Sequence, residues 1–259
     1  MIDPTEMPAS SVKVSSLSYT YPGAVSALSG VDFQVDAGVR KGLIGPNGAG
    51  KSTLFLCLLG LLPGFSGTVR VGGLQVRPEE DLTELRRRVG MVFQDPDDQL
   101  FNATVLEDAA FGPLNLGLSK EESLERARRS LEMTGVDADL FDRPPHRLSG
   151  GQKRRVAIAG VLAMEPSLIL LDEPTSDLDP RGRRELAEIL KSLPTTMIIA
   201  SHDLEFVLQT APEVIVMDHG KTVAGGAAKE VMSDRKLMEE HGLEVPHSLT
   251  SHVFSHHFS

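Results

Sequence analysis

Nine consecutive residues constrain this chain more than any other feature: Gly45-Pro46-Asn47-Gly48-Ala49-Gly50-Lys51-Ser52-Thr53. They satisfy the pattern glycine, four residues, glycine, lysine, then serine or threonine, which has physical meaning only between a strand and a helix. Both neighbours are predicted, a short strand over residues 41–44 and a helix from Lys51 carrying the apolar run 54–59. Gly45, Gly48 and Gly50 permit backbone turns that a β-carbon would block, so successive N–H groups can face inward as an anion nest. The helix N-terminus adds the positive end of its dipole. Lys51 supplies a mobile cation for β and γ phosphates, and the Ser52 hydroxyl suits Mg²⁺. The bland alternative, a glycine-rich turn that happens to share this spelling, would not need all nine residues. The loop reads as a nucleoside triphosphate site.

At 259 residues the chain makes one or two domains, taking ~150 residues each. Lys plus Arg number 26 against 36 Asp plus Glu, a net charge of −10 that opposes binding to nucleic acid backbones. Any phosphate is therefore gripped by a local device. The run 54–59 is far short of the ~20 apolar residues a membrane span requires. Met1-Ile2-Asp3-Pro4 has neither a basic end nor an apolar signal core, so export is not expected. Cys57 has no second cysteine to pair with, which fits a reducing compartment, and it reads as a buried apolar residue.

Periodicity predicts strands over residues 12–15, 31–35, 69–71 and 89–93, with a helix over 82–88. Helical signals dominate from about 94 to 164, notably over 120–134. Strict alternation then returns: strand 168–171, helix 181–193, strand 196–200, a helix from Leu204 and strand 214–217. Continuous apolar strands between helices imply a sheet covered on both faces. The expected fold is therefore α/β: a phosphate-loop core with a mixed, largely parallel sheet, an N-terminal antiparallel β region and an inserted α-helical subdomain. The expected domain is 1–225, with the subdomain at about 95–164, followed by a short extension at 226–259.

Residues 168–171 lead into Asp172-Glu173, placing two carboxylates at the carboxyl edge of the sheet, where ligands of α/β folds sit. Asp172 suits the Mg²⁺ shell through water, and Glu173 can polarise a water aimed at the γ-phosphate. Leu148-Ser149-Gly150-Gly151-Gln152 offers a hydroxyl and close-approach N–H groups at a helix start, though a plain serine N-cap accounts for it equally well.

The phosphate loop, this L-S-G-G-Q segment, Asp172-Glu173, Ser176-Asp177-Leu178-Asp179 and Ser201-His202-Asp203 stand in the order that resembles the ATP-binding-cassette ATPases, over about residues 12–225. The resemblance implies a head-to-tail dimer with two ATP molecules between cassettes. Ser149, Gly151 and Gln152 would then serve the nucleotide held by the opposite cassette. It also implies that Gln94 touches Mg²⁺ and senses a transmembrane subunit, that His202 contacts the γ-phosphate, and that Asp179 communicates across the dimer. Tyr21 is similar to the aromatic that stacks on adenine, with Tyr19 as competitor, and Pro22-Gly23 favours Tyr21 by placing it at a loop. The expected nucleotide set is Tyr21, Asn47, Gly48, Ala49, Gly50, Lys51, Ser52, Thr53, Ser149, Gly151, Gln152 and Asp179. Ser52, Gln94 and Asp172 are the metal set, and Glu173, His202, Lys51 and Gln94 the catalytic one. Asp177 departs from the family, which usually has a small residue there.

Residues 93–101 (F-Q-D-P-D-D-Q-L-F) and 108–118 resemble the ATPase subunits of energy-coupling-factor importers, including cobalt and nickel systems. The implied partners are a second cassette (a copy or a sister), a transmembrane coupling protein and a substrate-capture membrane component, with no nucleic acid. The implied location is peripheral, on the cytoplasmic face of the membrane. Leu100, Phe101 and Phe111 are partner-contact candidates, or else pack the subdomain itself. Vitamin import is the second reading of cargo, and a soluble cassette acting on nucleic acid or ribosomes is the reading from another class. His252 and His256 have the spacing of a metal-binding pair, but histidines in a tail are more often solvated.

Overall fold

A change of phase in the first strand sets the shape of the first sheet. In the computed structural model, which describes residues 9–23, 26–77, 80 and 82–250, the chain opens with β1 (Val12–Thr20), β2 (Ser26–Val35), β3 (Arg40–Ile44) and α1 (Lys51–Leu58). Then come β4 (Ser66–Val71), β5 (Leu74–Gln75), α2 (Thr83–Arg88), β6 (Val89–Val92), α3 (Val105–Asn115), α4 (Lys120–Met133) and α5 (Gly150–Leu162). The remainder is β7 (Leu168–Asp172), α6 (Pro180–Ser192), β8 (Thr196–Ala200), α7 (Leu204–Thr210), β9 (Glu213–Asp218), β10 (Lys221–Ala227), α8 (Ala228–Ser233), α9 (Arg235–Glu240) and α10 (His247–Thr250). Along β1, burial runs through Val12 and Val14 and then switches to Leu17 and Tyr19. Ser16 takes φ 50° at the switch, where pairing with both neighbours also shifts register, so it works as a bulge that turns the strand over. This hidden phase change is why only residues 12–15 read as a strand.

Two sheets result, the antiparallel β2-β1-β4-β5 and the six-stranded β10-β9-β3-β8-β7-β6. In the larger sheet β9, β3, β8, β7 and β6 run parallel and only β10 is antiparallel. Strands β7 and β8 are buried at every position, as strands covered on both faces must be. Leu168, Leu170 and Ile198 face α1 and the antiparallel sheet, while Ile169, Leu171 and Ile199 face α5, α6 and α7. The mixed, largely parallel sheet, the antiparallel β region and the helical insertion are all present as expected.

The helical region has its own core, in which Val105 and Ala109 of α3, Ala127 and Leu131 of α4 and Val156 of α5 meet. Helix α3 was not singled out by periodicity, and Pro113 lies inside it. Its start is nevertheless written in the sequence, since Thr104 and Glu107 form a capping box, as do Ser119 with Glu122 on α4. The expected boundary at residue 225 falls inside β10. Beyond it, Met232 and Met238 pack on Val207, Val214 and Val216, so the C-terminal helices share a core with the sheet. Among the described residues no helix is long and apolar enough to cross a membrane.

Gly220 stitches the two sheets together. Its N–H donates to the Ala49 carbonyl at 3.1 Å, and its own carbonyl accepts from Ser29 at 2.8 Å.

Cys57 is fully buried on α1, and burial pushes its thiol up to about 12. An unfolded cysteine ionises near ~8.5, so the neutral thiol's share of stability is intact below that pH and is lost as pH climbs toward 12. At mildly alkaline pH the native protein should resist a thiol-specific reagent and label fully once denatured. Fast stoichiometric labelling without denaturant would contradict this burial.

Candidate functional site

Loop curvature comes first, because it decides where every phosphate-facing group points. A Cβ at Gly45 would lie 2.0 Å from the Met217 carbonyl oxygen, and one at Gly50 would lie 2.7 Å from that of Ala27. No side chain fits at either place. Gly50 sits at the N-cap of α1 with φ 100°, with no side chain to cap the helix and no acidic residue in its first turn. The first-turn N–H groups are thus left for an anion. Lys51 Nζ donates to the carbonyls of Gly45 at 2.6 Å and Pro46 at 3.1 Å, holding the ammonium under the loop. Burial lowers its pKa, while Glu173 and Asp172 nearby favour the charged form.

Strand β7 delivers the carboxylates. Asp172 Oδ2 accepts from Ser52 Oγ at 3.0 Å. Burial pushes the Asp172 carboxyl up, opposed by the Ser52 hydrogen bond and then reinforced by Glu173. Glu173 is held in the left-handed region at φ 45°, an uncommon conformation for a non-glycine residue that the surroundings must enforce. Its N–H donates to the Ala200 carbonyl at 2.8 Å, tying it to the end of β8. Its Oε2 accepts from Ser201 Oγ at 3.0 Å and His202 N at 3.1 Å, and lies 2.8 Å from His202 Nδ1. One carboxylate oxygen is therefore fixed by three atoms of two residues, while the His202 side chain is 70% exposed.

These groups line one cavity of about 370 Å³, bounded by Ala27, Asn47, Gly48, Ala49, Gly50, Lys51, Ser52, Thr53, Gln94, Asp172, Glu173 and His202. The oxygens of Ser52, Asp172 and Gln94 form a hard donor set without sulfur or imidazole, which fits Mg²⁺. No group of three or more His, Cys, Asp or Glu that could hold a metal occurs among the described residues. Tyr21 stands at the rim, its hydroxyl 3.4 Å from Thr53 Oγ1, and is half-exposed. Tyr19 is buried and meets Tyr21 edge to face at 4.9 Å.

The other expected residues lie elsewhere. Ser149, Gly151, Gln152 and Asp179 line a second cavity of about 300 Å³ that shares no residue with the first. Ser149 is the N-cap of α5: its Oγ accepts from Gln152 N, and Gln152 Oε1 accepts from Ser149 N. As an acceptor there, the serine hydroxyl keeps its proton free to donate. Asp179 caps α6 by accepting from Gly182 N at 2.7 Å. Asp177 adopts φ 61°, the conformation for which a glycine is usually chosen. Phe101 and Phe111 are exposed and meet edge to face at 4.8 Å, whereas Leu100 packs against the subdomain core. His252 and His256 lie outside the described residues.

Sequence reasoning missed three contributors. Ser201 positions Glu173, a role set by the register of β7 against β8 that no sequence signal carries. Ala27 lines the phosphate cavity from β2 with no chemical signature. Gly242 to His247 form a third cavity, of about 510 Å³, with Asn47 and His202. Tail histidines are not uniformly solvated either, since His241 is mostly buried and pairs with Asp218 at 3.0 Å.

A family model described as "ABC transporter" matches residues 28–176. The energy-coupling factor transporter ATP-binding protein EcfA of Carboxydothermus hydrogenoformans is 47% identical, covering 91% of this chain and 87% of the relative. The solved structure of cbiO1 from Clostridium perfringens, part of the ABC transporter complex cbiONQ, superimposes with a TM-score of 0.80 at 39% identity, over 93% of this chain and 98% of that one. The dimeric ATP-binding cassette MJ0796, in a post-hydrolysis state bound to ADP and Pi, gives 0.76 at 28% identity, over 84% and 98%.

Replacing Glu173 with Gln keeps the shape and an acceptor oxygen but removes the negative charge that would polarise a water. Turnover should fall by about 10²–10⁴-fold with nucleotide affinity nearly unchanged, measured as phosphate release and as equilibrium binding. Wild-type turnover in Glu173→Gln would remove Glu173 from the catalytic role.

Proposed function

The chain belongs to the ABC transporter family as an ATP-hydrolysing cassette of the energy-coupling-factor type, and from that premise we propose that it powers uptake of a transition-metal ion, cobalt or nickel. The observation carrying the mechanism is the separation of the two cavities: the phosphate loop and the Ser149 segment of one chain do not meet. Each nucleotide site is then completed by a second cassette, and one full set of motifs suits a homodimer, with a sister cassette as the alternative. ATP draws the two chains together, and closure moves the helical subdomains.

Within a site, the loop N–H groups and Lys51 hold the β and γ phosphates, Tyr21 stacks on adenine and the partner's copy of the Ser149 segment donates to the γ-phosphate. Ser52, Gln94 and Asp172 would hold Mg²⁺, which would supply charge neutralisation on the phosphate oxygens. Glu173, steadied by Ser201 and His202, orients the attacking water. Water attacks the γ-phosphorus, the bond to the β-phosphate oxygen breaks, and ADP and phosphate leave. Asp179 links the two sites across the seam. Residues 1–225 carry this machinery, with 226–259 as an extension.

The exposed Phe101 and Phe111 of the helical subdomain form the contact for a transmembrane coupling protein, which in turn serves a substrate-capture component. This assembly puts the chain on the cytoplasmic face of the membrane. The same residues would serve a vitamin importer, because the ATPase need not touch its cargo. The net charge of −10 and the compact subdomain weigh against a soluble cassette acting on nucleic acid or ribosomes.

Two experiments test this reading. Lys51→Ala and Ser149→Arg chains should each fail to occlude ATP alone, yet succeed when mixed, because a mixed dimer keeps one intact composite site. A mixture as inactive as its components would overturn the shared site. Affinity purification from detergent-solubilised membranes should recover a coupling protein and a capture component, and the metal or vitamin held by the latter decides the cargo.

A further inference from the structure

Arg154 is 2% exposed, a buried cation with no carboxylate in hydrogen-bond contact among the described residues. It lies on α5, two residues beyond the Gln152 that completes the Ser149 capping box. Its planar fork is spent on backbone: Nη1 donates to the Phe93 carbonyl at 2.6 Å and Nη2 to that of Gln94 at 2.5 Å. A guanidinium can bridge two consecutive carbonyls in this way, whereas the single ammonium of lysine lacks the fork. Two further bonds fasten the same segment to α5. Lys153 Nζ pairs with Asp97 at 2.6 Å, and Gln99 Nε2 donates to the Ala157 carbonyl at 3.0 Å. Burial lowers the Arg154 pKa, partly offset by Asp177 and Asp95, which gives the unusual Asp177 a neighbour.

We propose that Arg154 is a positioning residue which clamps the backbone of Gln94 to the helix beginning at Ser149, so that the reach of Gln94 into the phosphate cavity follows the position of the Ser149 segment. Residues 93–99 then travel with α5 as one body. Because Ser149 serves the partner's nucleotide, filling one site is felt at Gln94 of the other. The inference rests on the proposed roles of Gln94 and of the Ser149 segment.

The test is steady-state ATPase kinetics of the full chain assembled with its transporter partners, for Arg154→Lys, Gln94→Ala and the double variant. Arg154→Lys keeps the charge and most of the volume but cannot span both carbonyls. It should lower kcat by about tenfold, equivalent to about 1.4 kcal/mol, with KM for ATP within about twofold and the melting temperature unchanged. In the Gln94→Ala background the same change should lower kcat no further, since residues acting as one unit are not additive. Should Arg154→Lys melt early, Arg154→Gln in both backgrounds gives the same comparison. Wild-type kcat in the Arg154 variants, or equal fold losses with and without Gln94, would overturn the clamp. Wild-type turnover in Gln94→Ala would instead strike down the role of Gln94, and the clamp with it.

Discussion

The carboxyl ends of three adjacent buried strands, β3, β8 and β7, are the constraint on which the site depends. Their parallel register sets Leu43, Ala200 and Asp172 level, and each strand then releases a turn into the first cavity: the phosphate loop, Ser201-His202, and Glu173. The bond from Glu173 N to the Ala200 carbonyl locks two of these turns at 2.8 Å. Because β7 and β8 are buried at every position and β3 ends in buried Leu43 and Ile44, burial on a scale of about 1.5–3 kcal/mol per large side chain holds them in place, well before any nucleotide contributes. The polar groups are thus placed by an apolar framework.

Much of this was legible. Buried parallel strands announce themselves as apolar runs, so 168–171 and 196–200 match β7 and β8 nearly to the residue, and the phosphate loop is legible because glycine is required at Gly45 and Gly50 for steric reasons. Strand β1 was under-read because the bulge at Ser16 reverses its alternation, and β5 because two residues carry no period. Helix α3 hides behind Pro113, although Thr104 and Glu107 mark its start. The C-terminal helices are too short to show a face, and what fixes them is a long-range contact of Met232 and Met238 with the sheet.

For the site, the sequence names the chemistry but not the distances. The spelling of Ser149 and Gln152 offers the helix cap, but not the cavity, apart from that of Lys51, in which the serine stands. Nor does the pattern reveal that Ser201 and His202 converge on one oxygen of Glu173, because that depends on the register of β7 against β8. Arg154 is harder still: a charged residue on a helix predicts a solvated face, and only the packing of 93–99 over α5 explains its burial.

The carbonyl of Ala27 has one more consequence. A Cβ at Gly220 would approach it to 2.6 Å and one at Gly50 to 2.7 Å, so β2, the start of α1 and the turn after β9 crowd a single oxygen atom. A chimera that borrows its antiparallel sheet from another cassette keeps Gly50 and Gly220 but must seat a foreign backbone oxygen between them. Moving β2, the start of α1 and the turn after β9 as one block would carry this contact over intact.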